Sequence, residues 1–263
     1  MARQLRVVMA QLNLMVGDIE GNTSLVLKNA QRAISEFAAD PIVFPELTLT
    51  AYPPEDLLLR PSLKLRIDRA IDAILQADLP IHIVLGFPES IDGKLFNALT
   101  VLEGGSRLAT YHKQCLPNYQ VFDERRYFHA GDKPCVLQIA GIRLGFTICE
   151  DMWEQDPFKQ AGDAGADLMI NINASPYHIH KLEQRQALLK QRSIEGGFPI
   201  IYVNLVGGQD ELVFDGASMA MSASGECHYL APNFEADLHL VNVDILNSDS
   251  QEFPAKRCEI PRQ

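Results

Sequence analysis

A chain of 263 residues is long for one average domain but within the reach of a single α/β sandwich or barrel, and its 47% hydrophobic and 22% charged content is that of a globular enzyme. The net charge of −11, from 23 basic and 34 acidic residues, excludes nucleic acid as the main partner, because phosphate binding needs a basic footprint. Cys115, Cys135, Cys149, Cys227 and Cys258 are odd in number and irregularly spaced without a CxxC pair, which argues against a zinc ribbon or a redox dithiol and for a reducing, cytoplasmic compartment.

The N-terminus enters a strand almost at once, over residues 5–10, with no signal-peptide h-region before it. No apolar run approaches the roughly 20 residues of a membrane span. A helical pattern follows over 21–38, with Asn22 and Ser24 as candidate caps and Leu25, Val26, Ala30 and Ile34 near helical spacing. Residues 42–44 form a short strand that stops at Pro45-Glu46, and the proline-rich Ala51-Tyr52-Pro53-Pro54 reads as a loop. A second helix is expected over 61–77, then strands over 81–86, 96–102 and 107–112, the last ending at Lys113.

Strands at 136–139 and 142–148 lead to Cys149-Glu150-Asp151-Met152-Trp153, which holds the only tryptophan. Further on come a helix at 156–164, a strand at 168–172, a helix of strong intrinsic propensity at 181–196 and strands at 200–204, 217–221, 226–230 and 237–243. Asp92-Gly93, Gly104-Gly105, Ala140-Gly141 and Ser224-Gly225 each separate two strand-like runs and read as hairpin turns. Phe253-Pro254-Ala255 reads as a loop. No repeat or linker divides the chain, so residues 1–263 are expected to form one α/β domain with two packed sheets and helices outside.

Three unlike reactive groups therefore stand at three strand ends: Glu46, Lys113 and Cys149. A thiol at a strand-to-helix junction is a common way to present a nucleophile. A thiol is only a few per cent ionised at neutral pH, so it needs a base. None of the seven histidines (His82, His112, His129, His178, His180, His228, His239) lies in a papain-like or caspase-like signature. His112 should point away from Lys113, since strand side chains alternate. Glu46, at the mouth of an apolar sheet, is the better base, because desolvation would raise its pKa. Lys113 would favour the thiolate and then bind an oxyanion. Each residue alone also reads as an ordinary strand-end charge or a small core thiol, and spacing leaves both readings open.

Phe44-Pro45-Glu46, His112-Lys113 and Cys149-Glu150-Asp151-Met152-Trp153 resemble the Glu–Lys–Cys triad of the nitrilase, or carbon–nitrogen hydrolase, superfamily. Phe44-Pro45-Glu46-Leu47, Ala51-Tyr52-Pro53-Pro54-Glu55-Asp56-Leu57, Leu116-Pro117-Asn118-Tyr119, Val121-Phe122-Asp123-Glu124-Arg125-Arg126-Tyr127-Phe128 and Asn173-Ala174-Ser175-Pro176-Tyr177 are similar, more narrowly, to the glutaminase domains of glutamine-dependent NAD⁺ synthetases, over residues 5 to about 243. That resemblance implies a four-layer α-β-β-α sandwich and hydrolysis of glutamine to glutamate and ammonia. In it Cys149 is the nucleophile, Glu46 the proton acceptor and Lys113 the oxyanion stabiliser. Tyr119, Ser175 and Lys181 take the glutamine-binding positions, and Glu124 is a second carboxylate that orients Lys113. A surface ion pair with Arg125 or Arg126 is the other reading of Glu124. Glu150 and Asp151 are expected to cap the next helix or bind neighbours, Trp153 to line the pocket, and Phe214-Asp215-Gly216-Ala217-Ser218 to be structural.

The resemblance implies no metal or cofactor for this domain. Full-length enzymes of this kind carry an ATP- and Mg²⁺-dependent synthetase domain with a Ser-Gly-Gly-x-Asp-Ser phosphate loop, and no such run occurs here. Gly207-Gly208-Gln209-Asp210, expected in a loop, lacks the serines and is rejected as a nucleotide site. The implied partners are glutamine and a synthetase domain in cis or in trans, in a homo-oligomer, with no membrane or nucleic acid. The alternative on the same site is a stand-alone amidase or nitrilase acting on another small amide.

Overall fold

The computed structural model describes residues 4–245 and 258–260, and the loop expected at Phe253-Pro254-Ala255 lies outside them. In chain order the elements are β1 (Gln4–Gln11), α1 (Ile19–Phe37), β2 (Pro41–Val43), α2 (Pro61–Gln76), β3 (His82–Ile91), β4 (Lys94–Glu103), β5 (Ser106–His112), β6 (Cys135–Ile139), β7 (Ile142–Ile148), α3 (Gln155–Asp163), β8 (Leu168–Asn173), α4 (Lys181–Gly196), β9 (Ile200–Asn204), β10 (Val206–Gln209), β11 (Leu212–Asp215), β12 (Met219–Met221), β13 (Cys227–Leu230), β14 (Asp237–Ile245) and β15 (Cys258–Glu259).

Two mixed sheets organise these strands, in the orders β15-β14-β1-β2-β3-β4-β5 and β13-β12-β9-β8-β7-β6, with β10 and β11 paired apart from them. Each has a parallel centre, β1-β2-β3 in one and β7-β8-β9 in the other, with antiparallel strands on both sides. The period-2 alternation of side chains decides what each strand buries. Leu5, Val7 and Met9 of β1 join Val43, Val84, Phe146, Ile148, Ile170, Ile172 and Val203 in a core between the two sheets. Val8 and Ala10, one residue out of phase, turn the other way and pack beneath α1 and α2 with Val26, Ala30, Ile67 and Ile71. On the far side Met169, Ile200 and Tyr202 pack with Phe158 of α3 and Leu189 of α4. Both faces of each sheet are thus covered, which is why the central strands read as continuous apolar runs. The result is a four-layer α-β-β-α sandwich, the architecture expected.

Three of the expected hairpins close through two residues with positive φ, the geometry that matches strand twist. They are Asp92-Gly93 (49° and 76°), Gly104-Gly105 (50° and 70°) and Ala140-Gly141 (50° and 91°). Three details differ from expectation. The first helix starts at Ile19, because Asp18 takes the cap and accepts from the Gly21 N–H at 3.0 Å. Asn22 is buried and instead bonds the backbone of Met15 and Leu49, while Ser24 bonds the Glu20 carbonyl one turn back. The segment expected as a loop at 207–210 belongs to the β10–β11 hairpin, whose Val206–Asp215 pairing survives two glycines.

β3 also runs past Gly86 and Pro88, where a stop was expected. Its β2 neighbour pairs only through Val84, so the N–H that Pro88 lacks faces no ladder. Gly86 is required for another reason. A Cβ there would lie 2.4 Å from the Leu47 backbone nitrogen and 2.9 Å from the Glu46 carbonyl carbon. The missing side chain lets the Glu46 segment lie flat on β3.

Candidate active site

The parallel strands of both sheets deliver their C-terminal ends to one place, the usual location of ligand sites in α/β folds. Glu46 lies three residues past β2 and is fully buried. Its Oε1 accepts from Asn97 Nδ2 and from Lys113 Nζ, both at 2.8 Å, and its Oε2 accepts from the Ala174 N–H at 2.9 Å. Donors from β4, from the end of β5 and from the end of β8 thus fix one carboxylate in orientation.

Lys113 follows β5 directly and is also fully buried. Its Nζ bridges Glu46 Oε1 and Glu124 Oε1, each at 2.8 Å. Burying a lone ammonium costs several kcal/mol unless it is paired, and two carboxylates meet that need. Burial pulls the Lys113 pKa down, but the charges of Glu124 and Glu46 outweigh it and hold the group well above its ordinary value. An ammonium has three protons, so one remains to donate to a third acceptor. Of the two readings of Glu124, the structure has the buried one. Its Oε1 also accepts from Tyr52 Oη at 3.2 Å, and its Oε2 has no partner among the described residues. Burial, opposed by Lys113 and reinforced by Glu46, raises the Glu124 carboxyl to about 7.

Cys149 opens a 3₁₀ turn, Cys149–Met152, immediately after β7. Its φ is 44°, in the left-handed region, which disfavours a residue with a Cβ by about 1–2 kcal/mol. The bend lifts the thiol off the strand while leaving it only 6% exposed, in the core between the sheets. Burial raises its pKa well above the usual thiol value, the Glu46 charge adds to this and Lys113 opposes it. Lys113 thus favours the thiolate, as expected, but desolvation outweighs it, so the thiol needs a base to take its proton as it attacks. The three expected groups are brought together, with Lys113 bonded to Glu46 and the charges of both acting on Cys149. His112 turns away, bonding Glu89 Oε2 at 2.7 Å and stacking on Phe96 at 4.4 Å.

Around this buried group stands a more open rim. Tyr119 is half-exposed, and its hydroxyl contacts both oxygens of Glu150, at 2.9 and 3.0 Å. Asp151 caps the 3₁₀ turn by accepting from the Ile148 N–H at 3.0 Å, while Glu150 binds Tyr119; neither caps α3, whose cap residue, Glu154, makes no side-chain capping bond. Lys181, the first residue of α4, has its Nζ 4.2 Å from the centroid of the Trp153 ring and no carboxylate in salt-bridge range among the described residues. Its pKa is lowered, first by burial, with Arg185 assisting and Cys149 and Glu150 opposing. Ser175 is buried, its N–H bonded to Asn204 Oδ1 and its Oγ accepting from Arg185 Nε at 3.2 Å.

Several residues that hold the site carry no marked signal in the sequence. Asn97 and Tyr52 fix the two carboxylates. Arg185 is fully buried against Asp215 at 2.7 Å and also bonds the Ser175 and Pro176 carbonyls, so it clamps the loop between Ser175 and α4. Asp215 and Gly216, within the motif expected to be structural, therefore brace the site from behind. The Gly216 carbonyl (φ 70°) accepts from Asn204 Nδ2, and the residue lies against Gln11. A polar residue inside an apolar strand, as at Asn97, is the signal that could have marked the first of these.

The carbon-nitrogen hydrolase family profile matches residues 6–251, and the chain belongs to that family. It is 45% identical over 236 residues to a glutamine-dependent NAD(+) synthetase of Xanthomonas campestris pv. campestris (strain 8004), covering 89% of this chain and 43% of that one. A protein of the same name from Aquifex aeolicus (strain VF5) is 42% identical over 246 residues, covering 92% and 42%. Among solved structures, glutamine-dependent NAD+ synthetase from Acinetobacter baumannii superposes with a TM-score of 0.91 at 34% identity, over 99% of this chain and 48% of that one. A Nesterenkonia amidase of the nitrilase superfamily superposes at 0.82 with 25% identity, over 90% of each chain. The chain thus spans less than half the length of the synthetases it matches.

Proposed function

We propose that this chain hydrolyses glutamine to glutamate and ammonia through Cys149, Glu46 and Lys113, and that the ammonia serves an ATP-dependent synthetase domain in cis or in trans that forms NAD⁺. One observation carries the reading: a buried Glu46–Lys113–Glu124 cluster beside a buried, bent-out thiol, with the uncommitted Lys181 ammonium at its rim. The names of the synthetase relatives support the choice of substrate. The reaction needs no cofactor in this chain; ATP and Mg²⁺ belong to the synthetase. Reduced thiols suit a cytoplasmic setting: Cys115, Cys135, Cys149 and Cys227 are free, and no helix among the described residues is long and apolar enough to cross a membrane.

In the first half-reaction Glu46 takes the proton of the Cys149 thiol as sulfur attacks the side-chain amide carbon of glutamine. The remaining Lys113 proton bonds the oxygen as it becomes anionic, a donor aimed where charge develops. Glu46 then delivers its proton to the amide nitrogen, the C–N bond breaks, and ammonia leaves a glutamyl thioester. In the second half Glu46 deprotonates a water that attacks the thioester, and the proton returns to sulfur as glutamate departs. Lys181 pairs with the substrate α-carboxylate, while Tyr119 and Ser175 hold its polar head.

The test is release of ammonia and glutamate in equal amounts from glutamine, absent in Cys149→Ala. Turnover of simple amides with none of glutamine would replace this reading with that of a stand-alone amidase, the kind of protein the Nesterenkonia structure is.

A further inference from the structure

Asp151 is a fully buried carboxylate whose hydrogen bonds go to neither the thiol nor the ammonium. All four of its acceptor positions are filled. Oδ2 accepts from the Ile148 N–H at 3.0 Å and from Tyr111 Oη at 2.8 Å, while Oδ1 accepts from the Gln114 N–H at 3.0 Å and the Cys115 N–H at 2.8 Å. Asp151 itself lies in the 3₁₀ turn that begins with Cys149, and Ile148 is the residue before it. The other three donors, Tyr111, Gln114 and Cys115, bracket Lys113 on both sides. One carboxylate therefore ties the turn that presents the thiol, in one sheet, to the segment that presents the ammonium, in the other. A carboxylate suits this place because it only accepts. Any neutral replacement leaves a buried N–H without an acceptor, or sets two donors face to face.

We propose that Asp151 is a positioning residue that sets the distance between the Cys149 thiol and the Lys113 ammonium, so that the attacked carbonyl's oxygen falls on Nζ. Asp151 acts through the backbone of both segments and touches no reacting atom. The inference rests on the proposed hydrolase reading for its kinetic arm only; its structural arm is independent of any substrate.

The experiment uses Asp151→Asn and Tyr111→Phe in the full chain, with the wild type beside them. In Asp151→Asn, kcat for glutamine should fall by roughly 10²–10³, the scale of one lost oxyanion donor, while KM moves less than about threefold. Alkylation of Cys149 by iodoacetamide, which needs no oxyanion site, should slow by less than about tenfold. The crystal structure of the variant should show Lys113 Nζ withdrawn from Glu46 or Glu124, from the present 2.8 Å. Tyr111→Phe removes one donor and keeps the three backbone bonds, so it folds even where Asp151→Asn does not; kcat should drop by about three- to tenfold at constant KM. Unchanged kcat in the folded variants, a loss carried by KM, or Lys113 still seated on both carboxylates in Asp151→Asn would overturn the inference. A wild type silent on glutamine counts against the hydrolase reading, and the variant structure then decides the role of Asp151 alone.

Discussion

The buried triad and its rim are built on opposite plans. Inside, Glu46 accepts three hydrogen bonds and Lys113 spans two carboxylates, with nothing exposed. At the rim, Lys181 is half-buried with only the face of Trp153 beneath it, and Tyr119 is half-exposed against Glu150. The contrast separates two physical requirements. Groups that move protons must be oriented before the substrate arrives, and a dry, bonded setting achieves that. Groups that recognise a charged substrate must keep an unsatisfied charge, which the ligand then completes. Changes inside should therefore damage turnover, and changes at the rim should damage binding.

The largest expected effect comes from filling the space that lets Glu46 lie on β3. In Gly86→Ala the added Cβ meets the Leu47 and Glu46 backbone, and that backbone has nowhere to move without shifting Glu46. Turnover should fall by about 10² or more, with a lowered unfolding temperature; activity and stability within error of wild type would contradict the packing described. At the rim, Lys181→Ala should raise KM for glutamine by roughly 10- to 100-fold, the range of a lost charge-assisted contact. It should leave kcat nearly intact and spare any amide that lacks an α-carboxylate. A loss of kcat instead would place Lys181 among the groups that do chemistry.

The pH dependence of folding sharpens the inner half of the comparison. The Glu124 carboxyl is at about 7 in the folded chain against an ordinary 4.5, so the folded state binds that proton more tightly than the unfolded state does. Stability contributed by this group is therefore fully present below about 4.5 and declines as pH rises through about 7. Relative to Glu124→Gln, the wild-type unfolding temperature should fall across that window and run parallel above it. Parallel curves throughout would show that the carboxyl titrates normally. The smallest effect is expected at Tyr119→Phe, a half-exposed hydroxyl, with a KM change of about two- to fivefold.

Much of this site was legible because each reactive group directly follows or closely trails a β-branched or apolar run: Val43 before Glu46, Tyr111 and His112 before Lys113, Ile148 before Cys149. Strand ends are readable from local pattern, and the layered fold follows from the alternation of such strands with amphipathic helices. What stayed hidden is held by partners distant in sequence. Arg185 sits on a helix that looks polar all round, and its Asp215 partner is 30 residues away. Asn97 reads as one polar residue in a strand until Glu46, 51 residues earlier, is folded against it. The β10–β11 hairpin escaped because Gly207 and Gly208 depress strand propensity, while the pairing is imposed by neighbours rather than by local preference.

The most direct measurement is covalent capture of the thiol by a thiol-directed glutamine analogue, read by intact mass and peptide mapping. One adduct per chain is expected, on Cys149 and not on Cys115, Cys135 or Cys227, with slower capture by the analogue lacking the α-carboxylate. A folded protein that takes no label, or takes it on another cysteine, would contradict a glutamine site at the meeting of the two sheets.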